Sequence, residues 1–87
     1  MSMNVTFYTK NPLGRNEHMP SIIQIGTEDS QRIAESTDPI EAYSVELEVM
    51  AVQSRKYKQY FEMHQLEFLC WVDDQKAMGR KILVDVF

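Results

Sequence analysis

Polar and apolar residues alternate over Val5-Thr6-Phe7-Tyr8-Thr9, and the β-branched and aromatic makeup of this run predicts a strand at about residues 3 to 9 with one buried face. It stops at Asn11-Pro12-Leu13-Gly14, where Asn first, Pro second and Gly fourth suit a type I turn; the loop is expected to run on to Pro20. Ser21-Ile22-Ile23-Gln24-Ile25, closed by Gly26, predicts a second strand. Thr27 then stands where a helix N-cap would, with Glu28 and Asp29 favouring the positive helix end. Ile33 and Ala34 are the apolar residues between 28 and 37, so that helix is expected to be short and weakly anchored on the surface.

Two periodicities compete from Asp38 onward. Asp38-Pro39-Ile40-Glu41 combines a capping acid, proline at the first helical position and glutamate three residues after the cap, which signals a helix start. Helical spacing gathers Ile40, Tyr43, Leu47, Met50, Tyr57 and Phe61 into one stripe, but it leaves Val45, Val49, Val52 and Met63 on the opposite face. Read with period two, Ser44 to Val49 alternates cleanly, with Val45, Leu47, Val49 and Ala51 on one side and the glutamates on the other. The alternation favours a strand at about residues 43 to 52. In a strand Glu46 and Glu48 point away from the core together; in a helix Glu41 and Glu48 align while Glu46 turns aside.

Ser54 is a candidate cap for a helix over residues 55 to 64, in which Tyr57, Tyr60, Phe61 and His64 share a face. Leu66 to Val72 and Lys81 to Phe87 read as strands, joined by a hairpin loop or a single helical turn over Asp73 to Gly79. The fold class that results is α+β: one domain over residues 1–87, with a largely antiparallel sheet of four or five strands and one or two helices on a face. At 87 residues the core is small, while 44% apolar content is that of a folding chain and not of a disordered tail.

Cys70 is the one cysteine, which excludes an intrachain disulfide and favours a reducing, cytoplasmic setting. Residues 1–10 lack the basic and apolar pattern of a secretory signal, and the longest apolar run, Phe68 to Val72, is five residues, so no membrane span is expected.

Candidate chemistry is sparse. Cys70, His64 and Asp73 could form a thiol site, but Cys70 lies within Phe68-Leu69-Cys70-Trp71-Val72, where it is expected to pack as a small buried hydrophobe. No zinc or calcium spacing is present, and Asp73-Asp74-Gln75-Lys76 matches a metal-dependent nuclease only in one acid-to-lysine interval. Gly14, Gly26 and Gly79 form no phosphate loop, so neither a metal nor a cofactor is expected. Arg55 to Phe61 interleaves basic and aromatic residues, as single-strand binders do, yet its charge of +3 stands beside an acidic segment that opposes nucleic acid.

That segment carries the strongest signal. Glu28, Asp29, Glu35, Asp38, Glu41, Glu46 and Glu48 against Arg32 give residues 28 to 48 a formal charge of -6, while residues 1–27 and 49–87 each come to +1. Such asymmetry attracts a basic partner and repels nucleic acid. The leading expectation is a non-enzymatic binding or inhibitor protein. It would dock on a basic, nucleic-acid-binding surface of a protein partner through Glu28, Asp29, Glu35, Glu41, Glu46 and Glu48, with Tyr57 and Tyr60 as apolar anchors. In size and charge it is similar to the small inhibitors that viruses and mobile elements encode, though no motif carries the likeness. The alternatives are a self-associating assembly protein, such as a homodimer pairing through the apolar strand at residues 81–87, and a small metal-dependent hydrolase or nuclease with Asp73, Asp74 or His64 as ligands.

Overall fold

The first strand is the hub of the molecule. A computed structural model of the chain describes residues 2–87, and in it β1 (Ser2–Lys10) pairs antiparallel with all three other strands. Its C-terminal end meets β2 (Asn16–His18) with Tyr8 opposite His18, its N-terminal end meets β3 (Gln24–Gly26), and its middle meets β4 (Leu83–Val86) with Phe7 opposite Val84. Val5, Phe7 and Thr9, on one pleat face, are buried as the alternation requires.

The turn after β1 forms where expected. Gly14 N–H donates to Asn11 O at 2.9 Å, and Asn11 Oδ1 accepts from the amides of Leu13 and Arg15. Gly14 adopts φ 78°, a conformation that a side chain would strain. The loop does not run on to Pro20: Asn16-Glu17-His18 pairs with β1 although all three side chains are exposed. No apolar alternation marks β2, because backbone bonds and the stacking of His18 on Tyr8, 5.5 Å between centroids, hold it in place. The second strand is shorter than Ser21 to Ile25, starting at Gln24.

Three helices follow the strands β1 to β3: α1 (Thr27–Glu35), α2 (Pro39–Gln53) and α3 (Lys58–Ala77). Thr27 is the first residue of α1 and not its cap, which is Gly26. Nor is α1 loosely held, because Ile33 is fully buried in the common core.

The strand reading of residues 43 to 52 is wrong, and helix α2 takes its place. Asp38 caps it, Oδ1 accepting from Glu41 N–H at 3.1 Å, with Pro39 in the first turn. Tyr43, Leu47 and Ala51 are buried at i, i+4 and i+8, with Ile40 and Met50 packed against the same core. The β-like alternation arises because the valines that complete it, Val45 and Val49, lie on the solvent side of the helix.

Residues 66 to 72 are likewise not a strand, and 73 to 79 not a hairpin loop. Both belong to α3, which starts at Lys58, later than the position after Ser54, and runs for 20 residues, about 30 Å. Phe61, His64, Phe68, Val72 and Gln75 form its inward stripe, so the apolar run Phe68 to Val72 is divided between core and solvent. Leu69 and Cys70 are exposed, which overturns the expectation of a buried thiol. Ser54 Oγ accepts from Tyr57 N–H at 3.3 Å and so orders the turn before α3 instead of capping the helix itself. At the other end Gly79 N–H donates to Lys76 O and Arg80 N–H to Gln75 O, a Schellman closure built on Gly79 at φ 71°.

Phe7, Tyr43 and Phe68 bring sheet, α2 and α3 together, with ring centroids 4.8 to 5.3 Å apart. Burial of each such side chain contributes about 1.5–3 kcal/mol. One buried and one exposed polar contact join the far end of α3 to the sheet. Thr9 Oγ1 donates to Gln75 Oε1 at 3.0 Å, and Arg80 Nη1 reaches Glu17 Oε2 at 2.9 Å, which ties the end of α3 to β1 and β2. The fold is α+β with a four-stranded antiparallel sheet and three helices. Among the described residues no helix is long and apolar enough to cross a membrane.

Candidate protein-docking surface

Helices α1 and α2 divide the seven acids of residues 28 to 48 by their angular positions, and Arg32 organises them. Its Nη2 lies 2.9 Å from Glu46 Oε2 and 3.4 Å from Asp29 Oδ1, bridging the two helices. Glu46 is therefore folded onto the protein, its side chain 13% exposed. Burial pushes its carboxyl above the usual carboxylate range, the Asp29 carboxylate adds to this, and the charge and hydrogen bond of Arg32 pull the other way.

The remaining acids stay open. A shallow groove of about 520 Å³ is lined by Glu28, Arg32, Glu35 and Ser36. It continues past Arg32 and Ser36 into a smaller one of about 270 Å³ bordered by Asp38, Glu41 and Val45. Glu28, Glu35, Asp38 and Glu41 form no ion pair among the described residues. With Asp29 and Glu46 set against Arg32, this surface carries six acids and one base, a formal -5.

Glu48 stands apart from it. Two residues along a helix turn the side chain by about 200°, so Glu46 and Glu48 cannot share a face as they would in a strand. Glu48 Oε1 instead accepts from Gln65 Nε2 at 3.1 Å, toward α3. Tyr57 and Tyr60 are exposed, at 49% and 53%, but they lie beyond the far end of α2. The stretch of that helix from Glu41 to Gln53, about 18 Å, separates them from Glu41. The expected site is thus split into an acidic end, which unites Glu28, Asp29, Glu35, Glu41 and Glu46, and an aromatic end. Lys56 Nζ sits 5.2 Å from the Tyr57 ring centroid at the latter.

Charge counting along the chain missed the apolar side of α2. Val45, Val49 and Val52 are 49%, 40% and 81% exposed. Their signal in the sequence was the second apolar face that spoiled the helical wheel.

His64 does not join Cys70 and Asp73. Its Nε2 lies 2.7 Å from the Tyr43 hydroxyl and its Nδ1 2.9 Å from Ser21 Oγ, inside the core, whereas Cys70 and Asp73 are exposed. Burial holds the imidazole below its ordinary value, with Glu67 opposing, and burial pushes the Tyr43 hydroxyl up. A neutral imidazole bridging two hydroxyls braces the segment before β3 against α2 and α3. Among the described residues no group of three or more His, Cys, Asp or Glu side chains is arranged to hold a metal ion. Comparison with protein-family models, with curated proteins and with solved structures gives no match.

Proposed function

We propose that this chain is a non-enzymatic binding protein whose α1–α2 face docks on a basic surface of a protein partner. The observation that carries the reading is the acidic groove: Glu28, Glu35, Asp38 and Glu41, with no ion pair among the described residues, stand around an Arg32 already occupied by Asp29 and Glu46. A field of this sign raises the association rate with a basic groove and repels nucleic acid itself. The partner surface that fits is one that ordinarily receives phosphates, which the spaced carboxylates replace, and the chain would act there as an inhibitor. Exposed ion pairs contribute about 0–1 kcal/mol each, so an apolar contact must accompany them. Val45, at the edge of the groove and half exposed, supplies one. The exposed thiol of Cys70 fits a reducing, cytoplasmic setting.

Affinity capture from a native lysate tests this, with the chain immobilised at low and high salt beside a Glu28→Gln/Glu35→Gln/Glu41→Gln variant. Asp38 is left in place because it caps α2. A basic protein retained at low salt by the natural chain and lost by the variant is the expected result. Capture of the same proteins by both would overturn the reading.

A further inference from the structure

The exposed side of α2 has matching ends. Glu41, Val45, Glu48, Val49 and Val52 run along one stripe, opposite the buried Tyr43, Leu47 and Ala51, and Lys56 follows in the turn beyond Gln53. Among the described residues no element covers the three valines, and the stripe continues across a groove of about 540 Å³ to Leu66 of α3, itself 59% exposed. We infer that a second copy of this chain covers the stripe, α2 packing antiparallel on α2 about a twofold axis between Glu48 and Val49.

The sequence of the stripe meets that symmetry. An axis at this point sets Val45 against Val52 of the second copy and brings Glu41 to the end where its Arg55 and Lys56 lie, and the same contacts recur in reverse. Glu48 does not intrude, since its hydrogen bond to Gln65 draws the carboxylate toward α3 and leaves the valines clear. Charge decides the direction. A parallel pairing would bring Asp38 and Glu41 against their own copies at one end and Arg55 and Lys56 at the other, whereas the antiparallel one sets acid against base at both. The face is about 22 Å long and about 10 Å wide, less than the roughly 800 Å² per subunit of a long-lived dimer, so the pairing is reversible. Glu28 and Glu35 on α1 remain outside it, so the pair leaves the α1 part of each acidic groove open and covers the Glu41 and Val45 border.

Sedimentation equilibrium of the full chain at low salt, from about 1 µM to about 1 mM, tests the inference. The mass is expected to climb from that of the 10.2 kDa chain toward twice that value. Val49→Glu, at an exposed position that leaves the far-UV circular dichroism unchanged, is expected to raise the dissociation constant at least about tenfold. Glu41→Lys weakens association, and Glu41→Lys with Lys56→Glu restores it. A monomer across the whole range overturns the inference, as does a dimer indifferent to Val49→Glu, which would pair elsewhere, as through the open edge of β4. Failure of the double exchange to restore association overturns the antiparallel register. Glu41 and Val45 border both surfaces, so Val49→Glu, outside the acidic groove, reads the pairing alone, and loss of capture with Glu28→Gln and Glu35→Gln on α1 reads the groove alone.

Discussion

Replacing Leu47 by alanine, with Val45→Ala and Val49→Ala beside it, separates the two periodicities that compete over residues 43 to 52. In a strand the three side chains share a face, and truncating any of them would cost about the same. In α2 they do not: Leu47 is fully buried in the core, whereas Val45 and Val49 are 49% and 40% exposed. Removing the Leu47 branch takes away apolar contact and leaves a space that Tyr43 and Phe68 cannot fill without disturbing their edge-on packing. A loss of about 3 kcal/mol follows, within the range of about 2–5 kcal/mol for such sites. In a domain of this size that lowers the thermal midpoint by roughly 15 °C. At the two valines little packing is lost and alanine is the better helix former, so the change stays within about 0.5 kcal/mol. Urea unfolding followed by Trp71 fluorescence and far-UV circular dichroism, at low micromolar protein to keep the chain monomeric, measures all three. Similar losses for the three variants would refute the division of α2 into a core side and a solvent side.

Three further outcomes are expected. Burial holds the His64 imidazole below its ordinary value near 6.5, so the unfolded chain binds the proton more readily than the native one. Its contribution is therefore complete above about pH 6.5 and is lost as the pH falls below it; the urea midpoint should drop more steeply between pH 7.5 and 5.5 in the natural chain than in a His64→Gln variant, and equal slopes would contradict this. Thr6 Oγ1 is buried without a hydrogen-bond partner, so Thr6→Val, nearly equal in shape, should leave stability unchanged or raise it by up to about 1 kcal/mol, and a clear loss in the same assay would reveal a bond at that hydroxyl. Arg32→Gln removes the base at the centre of the acidic surface, so a captured basic partner should associate several-fold faster at low salt, with the gain vanishing at high salt; slower association would argue against charge-led docking.

Local chemistry was legible where a few neighbouring residues determine the outcome. β1, the Asn11–Gly14 turn, the Asp38 cap and the final strand all follow from short-range signals that the structure keeps. Segments with two apolar faces were misread. Residues 43 to 52 and 66 to 72 look like strands because valine and leucine occupy their exposed sides, and a wheel that expects one apolar face counts against the helix. For α3 the stripe that Phe61 and His64 begin continues through Phe68, Val72 and Gln75, while Tyr57 and Tyr60 are exposed, and following it past His64 would have recovered the helix. The acidic part of the candidate site was visible as charge, but its geometry was not. Arg32 takes up Asp29 and Glu46, Glu48 turns toward α3, and the tyrosines lie at the other end of α2. Those relations depend on which helices pack together, which no local pattern encodes.

On the proposed function, the open carboxylates of α1 and the start of α2 form the surface that meets a basic partner. Titrating a captured partner into the isotope-labelled chain and following the backbone amide resonances by NMR tests it most directly. The largest shifts are expected on residues 28 to 42, around Glu28, Glu35 and Glu41, and should shrink as salt is added. Shifts centred on β4 or on the outer side of α3, with residues 28 to 42 unmoved, would contradict it.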